Sequence, residues 1–473
     1  MAATATERRL FIGGEWVETG DWLEVRSPYS GEIVGRVARG GAKEAGRAID
    51  AAEAAMREPL PAHKRAEILV KVAAGIGRRH EEAAHLICAE AGKPLKAARV
   101  EASRAMSTYT FAAVEARKLT GEMVPMDAAQ AGEGKLAFTL RRPIGIVGAI
   151  TPFNFPLNLV AHKLAPALAA GCAVVLKPAS QTPLSALLLA ELAEEAGVGR
   201  GWVNVVVGSA SEIGDVLLGD ERVRAITFTG SGAVGWELKE RAPKKRVNLE
   251  LGNATPVIVA ADADLDLAAE KLAANAFSFA GQSCISIQRV YVERPVYDTL
   301  LERFLPRVEA LTVGDPADEA TDIGPVIDED ARERILEWVG DSGGEIVTGG
   351  DTDDEGLIIP TVIANPRRDA KVSREEVFGP VCTITAVESL DEAVELANAT
   401  RYGLQAGVFT TRLDAALKLA QALDFGGVTI NEAPTFRADQ MPYGGVKDSG
   451  NTREGPRYAV RELTEERVVV IEV

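Results

Sequence analysis

The sequence predicts an α/β protein built on two open parallel sheets, each covered by helices, with a separate β-hairpin element. Three observations carry this. Apolar runs of strand length alternate with helical stretches from Pro143 onward, and a second such series runs from about Pro256 to residue 430. Two β-prone segments, residues 122–140 and 467–473, stand outside that alternation. With 473 residues the chain exceeds what one core sustains, so two or three packed units are expected.

Taken in order, Leu10-Phe11-Ile12 and Trp16-Val17 read as strands around the turn Gly13-Gly14. Ser27-Pro28-Tyr29-Ser30-Gly31 is a further turn. From residue 42 to 118 the pattern is helical, and Ile68, Leu69, Val72 and Ile76 line one helix face. Residues 122–124 and 136–140 flank a polar, glycine-containing loop, which fits an extended hairpin. The first alternating series has strands at 144–150, 173–176, 203–207, 225–228 and 247–249. Helices fall between them at 157–170, 183–196, 212–218 and 234–241. The tail at 467–473 is β-prone and has no neighbour in sequence to pair with.

Hydrophobic residues make up 47% of the chain, ample for large cores. The net charge of −17 is spread along the sequence, which argues against nucleic acid or an anionic membrane as partner. No stretch is apolar and long enough to span a bilayer, and the N-terminus lacks the order of a signal peptide. The four cysteines, Cys88, Cys172, Cys284 and Cys382, show no paired spacing. A reduced, cytoplasmic protein without a metal site is expected. Only four histidines are present, so histidine-based catalysis has few candidates.

Four motifs carry candidate chemistry. Gly230-Ser231-Gly232-Ala233-Val234-Gly235 follows an apolar run and opens a helical stretch. Such a turn brings backbone N–H groups up to a pyrophosphate, although glycine turns also arise for steric reasons alone. Glu250 stands about 20 residues on, where a dinucleotide-binding unit places an acid on the ribose. In Phe279-Ala280-Gly281-Gln282-Ser283-Cys284, the small and polar neighbours suit a nucleophile on an open turn better than a buried core thiol. Cys88, Cys172 and Cys382 sit in apolar patterns and read as core. Thr151-Pro152-Phe153-Asn154-Phe155-Pro156 holds Asn154 between two prolines. That asparagine is either a turn residue or an amide aimed at a developing oxyanion. Lys177, in Val175-Leu176-Lys177-Pro178-Ala179-Ser180, ends a buried strand, at a solvated edge or facing the ligand crevice.

Together these stretches resemble the aldehyde dehydrogenase superfamily over essentially the whole chain. Matching segments come in family order at 151–156, 177–183, 228–235, 249–252, 281–284, 375–380 and 442–450. The resemblance implies two Rossmann-like open parallel-sheet domains plus a β-hairpin oligomerisation element. The implied boundaries are 1–118 with 144–254 for the dinucleotide-binding domain, 255–453 for the catalytic domain, and 119–143 with 454–473 for oligomerisation. It implies NAD(P)-dependent, non-CoA-acylating oxidation of an aldehyde to the acid. Cys284 is then the nucleophile, Asn154 the oxyanion donor with the backbone N–H of Cys284, and Glu250 the general base instead of a ribose ligand. Lys177 and Ser180 would meet the adenosine ribose, Gly230 and Ser231 the pyrophosphate, and Glu376 the nicotinamide ribose. Phe378 would pack by the nicotinamide ring, with Phe153 and Leu251 alongside. No histidine and no metal are required.

Two departures from the family pattern stand out. Where many members carry two glycines after Glu-Leu, this chain reads Gly252-Asn253, and Gly450-Asn451-Thr452-Arg453 lacks a glycine often found before the arginine. Neither touches a proposed catalytic atom. The CoA-acylating branch lacks the base, so Glu250 favours release of the free acid. Members selective for NAD commonly carry glutamate at the position of Ser180, so NADP is expected to serve at least as well as NAD. The hairpin and tail predict a homodimer or homotetramer. A cofactor-free cysteine esterase would leave Lys177, Gly230, Ser231 and Glu376 without purpose. A non-catalytic protein on the same fold would leave Cys284, Glu250 and Asn154 so. The substrate is a small aldehyde, lactaldehyde-like, a semialdehyde or another polar one. Arg104 and Arg437 are either structural or partners for a carboxylate, phosphate or sulfonate.

Overall fold

The computed structural model describes residues 6–473; the first five, counted above in the dinucleotide-binding domain and in the N-terminus, lie outside the described residues. Two seven-stranded sheets organise the chain. The first has the order Arg246–Glu250, Val223–Thr229, Ile146–Ile150, Val174–Lys177, Val203–Val205, Leu10–Ile12 and Glu15–Val17. Its first five strands are parallel, and the opening hairpin closes one edge antiparallel. Gly13 and Gly14 take φ of 65° and 78°, the left-handed pair that a two-residue hairpin turn requires.

Chain order within the parallel part decides where a ligand can sit. It starts at Ile146–Ile150, moves outward to Val203–Val205, then returns to the other side of Ile146–Ile150 with Val223–Thr229. The order reverses beside Ile146–Ile150, and the crevice at the carboxyl ends there is the ligand position of an open sheet. Asn154, Lys177, Gly230 and Glu250 all lie at those ends.

The second sheet runs Glu345–Thr348, Thr361–Ala364, Val381–Val387, Ile287–Glu293, Thr255–Val259, Gln405–Phe409 and Gly427–Ile430. Only Glu345–Thr348 is antiparallel to its neighbour. Residues 251–254 join the carboxyl end of one sheet to the amino end of the other. Cys284, just before Ile287–Glu293, is thereby brought to the same cavity as Glu250.

Helices Ala42–Met56, Ala62–Arg78, His80–Ala91 and Leu95–Lys118 fill the expected helical stretch. Ala62–Arg78 and Leu95–Lys118 each start after a proline, which cannot continue a preceding helix. Ile68, Leu69, Val72 and Ile76 are buried together. Helix Asn158–Ala170 is buried at every residue, His162 and Lys163 included, because it is covered on all sides.

Two small sheets complete the chain. Thr6–Arg8, Ile33–Ala38 and Trp22–Arg26 form one that the turn at Ser27 alone does not reveal. In the other, the tail finds a partner that sequence adjacency hides: Thr464–Glu472 pairs antiparallel with Lys135–Pro143 along its whole length. Met123–Val124 adds on the far side. Leu136, Leu140, Val468, Val470 and Ile471 remain exposed on this sheet. Among the described residues no helix is long and apolar enough to cross a membrane, and no cluster of three metal-ligating side chains forms.

Candidate active site

The cysteine sits on a loop whose backbone is fixed by unusual means. Phe279 and Ala280 have φ of 51°, and a Cβ at Gly281 would lie 2.0 Å from the Gly379 carbonyl oxygen. Only glycine fits there. Buried Gln282 pins the loop: its amide donates to the Phe279 and Pro325 carbonyls at 3.3 and 3.2 Å, and its Oε1 accepts the Ile327 N–H at 2.8 Å. Cys284 is half-buried, and its Sγ lies 2.9 Å from the Tyr443 hydroxyl. Cys88, Cys172 and Cys382 are buried in the cores, as their apolar patterns suggest. Asn154 Nδ2 donates to the Gln282 carbonyl at 3.0 Å, tying it to the cysteine loop. An amide nitrogen carries a second hydrogen, so one donor is left for the cavity.

Glu250 ends Arg246–Glu250 and shares this cavity of about 250 Å³ with Cys284 and Asn154. Both its carboxyl oxygens are buried without a hydrogen-bond partner. Burial, and next the negative charge of Glu454, hold its pKa well above the usual carboxylate range. A Cβ at Gly444 would stand 2.7 Å from Glu250 Oε1, so that glycine is what gives the carboxyl its room. Burial likewise works against ionisation of Glu454, but Lys163 at 2.8 Å and Arg437 at 3.0 Å outweigh it and keep Glu454 charged.

Most residues implied for a dinucleotide lie at the carboxyl edge of the first sheet, while Glu376 and Phe378 come from the segment before Val381–Val387 of the second. Lys177 is buried, and burial alone lowers its pKa, with no carboxylate beside it to oppose the effect. Ser180 Oγ donates to the Gly208 carbonyl at 3.0 Å. Lys177 and Ser180 lie outside the cavity that holds Cys284, whereas Phe153, Gly230, Ser231, Leu251, Glu376 and Phe378 line it. Ser231 precedes helix Gly232–Arg241 without a side-chain cap, leaving first-turn N–H groups for an anion. A Cβ at Gly235 would stand 2.4 Å from Leu251 Cδ2, so the third motif glycine permits close helix packing. At the far end, Asn253 N–H donates to Glu376 Oε1 at 2.9 Å, and a Cβ at Gly252 would lie 2.4 Å from Glu376 Oε2. Burial pushes Glu376 up to about 7. Phe378 meets Phe153 edge-on at 5.8 Å. A buried cation, a row of free N–H groups, and an aromatic pair beside a carboxyl fit an extended dinucleotide.

The opposite wall carries charge. Arg104 from helix Leu95–Lys118 pairs with Asp439 at 3.1 Å, and Arg437 with Glu454, and both arginines line the cavity. The Arg437 guanidinium stands 3.8 Å over the Tyr443 ring, and its Nε is buried without an acceptor. His162 lies 3.5 Å from Asp439, and burial lowers its pKa to about 4, so it is neutral near pH 7. Lys163, Tyr443, Asp439 and Glu454 carry no role in the sequence reading. A signal existed for one of them, since Lys163 carries a charge into a largely apolar helical run.

The aldehyde dehydrogenase family profile matches residues 16–469. A 3-sulfolactaldehyde dehydrogenase of Priestia aryabhattai is 43% identical over 465 residues, 98% of this chain and 97% of that one. A lactaldehyde dehydrogenase of Methanocaldococcus jannaschii is 40% identical, covering 98% of this chain and all of its own, 100%. Among solved structures, an E. coli NADP dependent enzyme has a TM-score of 0.96 and 38% identity, covering 99% of this chain and 98% of its own. An NAD-dependent aldehyde dehydrogenase of Sinorhizobium meliloti has a TM-score of 0.96 and 38% identity, covering 99% and 95%. Aldehyde dehydrogenase 21 of Physcomitrella patens, in complex with the reaction product succinate, has a TM-score of 0.96 and 40% identity, covering 99% of each chain.

Proposed function

The chain belongs to the aldehyde dehydrogenase family, and from that premise we propose that Cys284 is its nucleophile and a small anionic aldehyde its substrate. The protein is an NAD(P)-dependent aldehyde dehydrogenase. Lys177, Ser180, Gly230, Ser231, Glu376 and Phe378 would hold the dinucleotide, with Phe153 and Leu251 beside it. When bound, the cofactor supplies the hydride acceptor that side chains lack. Cys284 Sγ adds to the carbonyl carbon, and the Asn154 amide with the backbone N–H of Cys284 binds the resulting oxyanion. Oxidation leaves the acyl group as a thioester on Sγ. Glu250 then takes a proton from the water that attacks the acyl carbon, and the acid leaves as Sγ recovers its electron pair. The placement of Cys284, Asn154 and Glu250 in one cavity supports these roles.

The charge of the wall carries the substrate reading. Arg104, Arg437 and Lys163 are paired with two carboxylates, Asp439 and Glu454, so this cluster of ion pairs holds three cations to two anions. A buried excess charge is costly, and a substrate carboxylate or sulfonate neutralises it. The named substrate of the Priestia aryabhattai relative and the succinate bound to the Physcomitrella patens enzyme carry such a group. The lactaldehyde of the Methanocaldococcus jannaschii relative does not.

Four finer readings go with this. NADP serves at least as well as NAD, because Ser180 sets no carboxylate against a 2′-phosphate and Lys177 can pair with it. The cofactor domain comprises 1–118 and 144–254, the catalytic domain 255–453, and the hairpin and tail form the oligomerisation element of a homodimer or homotetramer. A reactive thiol without a disulfide suits a reducing, cytoplasmic setting. The test combines one variant with one substrate series. Cys284→Ala abolishes aldehyde oxidation but keeps cofactor affinity, and wild type shows a higher kcat/KM for a sulfonated or carboxylated aldehyde than for an uncharged one of equal length. Retained activity in the variant, or preference for the uncharged aldehyde, overturns the respective half.

A further inference from the structure

We propose that Tyr443 is a catalytic hydrogen-bond donor to Cys284, aiming the sulfur and easing its ionisation before the aldehyde arrives. The phenol lies 2.9 Å from Sγ, and neither group has another hydrogen-bond partner among the described residues. Tyr443 is itself held tightly. Its backbone N–H donates to the Glu454 carbonyl at 3.2 Å, and the Glu454 N–H donates back to its carbonyl at 2.6 Å. The residue is 4% exposed, and the Arg437 guanidinium covers one ring face at 3.8 Å. A phenol so clamped keeps its hydroxyl oxygen beside the sulfur.

The direction of donation follows from acidity. A thiol is ordinarily more acidic than a phenol, so a pair that shares one negative charge keeps it on sulfur and the proton on oxygen. Charged groups reach the pair from several elements. Arg437 favours the anion, whereas Glu250 and Glu376 oppose it at the sulfur, and Glu250 also opposes ionisation of the phenol. Burial pushes the thiol up to about 12, and the bond from Tyr443 is the leading influence that acts against burial. Without that bond the buried sulfur loses its leading support for ionisation and becomes a poorer nucleophile.

This inference rests on the reading of Cys284 as the nucleophile and adds the group that activates it. It is tested by the pH dependence of iodoacetamide inactivation of the full-length enzyme, with labelling of Cys284 followed by mass spectrometry. Tyr443→Phe keeps the ring and the Arg437 contact. It should raise the apparent alkylation pKa by about 1–2 units, the weight of one charge-assisted hydrogen bond, and slow inactivation at pH 7 by about tenfold or more. Cofactor Kd should stay unchanged. A 3-fluorotyrosine at 443, a stronger donor in the unaltered fold, should shift the profile the opposite way, and it carries the test should Tyr443→Phe not fold. Superimposed profiles, or a fluorotyrosine shift in the same direction as Phe, overturn the proposal while leaving Cys284 as nucleophile. Labelling of Cys284 that leaves activity intact would instead sink the nucleophile and this inference together.

Discussion

Arg104→Gln separates a substrate-binding arginine from a structural one. Glutamine keeps a donor for Asp439 but deletes the charge that faces the cavity. A substrate anion held about 4 Å from a cation gains about 4 kcal/mol at an effective dielectric of about 20. Asp439, at 3.1 Å from the same guanidinium, cancels roughly half of this, leaving about 2 kcal/mol. That corresponds to about a 30-fold loss in kcat/KM for an anionic aldehyde. An uncharged aldehyde of the same length should lose less than about threefold, since it never used the charge. Steady-state NADPH formation with both substrates reads the difference directly. Equal losses for both would make Arg104 a structural residue, and no loss for either would remove the anion from this wall.

Three more outcomes follow from the same geometry. Ser180→Glu should raise the preference for NAD over NADP by about tenfold, the effect of ~1.4 kcal/mol of added repulsion, and wild type strongly favouring NAD would refute the role of Ser180. Glu250 acts as a base only when ionised, so turnover is lost as pH falls through its raised pKa. Glu454→Gln removes a neighbouring negative charge and should therefore move the acid limb of kcat to lower pH, whereas a shift to higher pH would contradict the coupling. Light scattering at micromolar protein should give a dimer or tetramer, and glutamate at both Val468 and Val470 should weaken it; a monomeric wild type would refute the assembly.

Much of this was legible in the sequence, and the rest was hidden for physical reasons. The five parallel strands show as apolar runs because both faces are covered, so periodicity and burial agree. Asn154 and Cys284 stand in distinctive turns, where proline and glycine constrain the backbone, and Glu250 ends a buried strand before a glycine. The pairing of Thr464–Glu472 with Lys135–Pro143 could not be read, because a strand's partner is set by topology and not by adjacency. The charged wall is hidden for a related reason. Arg104, Lys163, Arg437 and Glu454 come from four separate segments, and nothing in the sequence says that they share one wall. Tyr443 reads only as part of a glycine motif, since its hydroxyl gains meaning only once Cys284 is 2.9 Å away. For Glu250, spacing from Gly230 alone suggests a ribose ligand, and the cavity it shares with Cys284 is what supports the proposed role as base.

The central claim, a thioester on Cys284 released by Glu250, is tested most directly by trapping that acyl group. Glu250→Gln leaves hydride transfer possible but removes the base from deacylation, which should become about 10²-fold slower or more. A single burst of NADPH, stoichiometric with enzyme, should precede very slow turnover, and intact-protein mass spectrometry should find the acyl group on Cys284. A raised cofactor Kd with normal kcat and no acyl adduct would contradict the account and return Glu250 to the ribose.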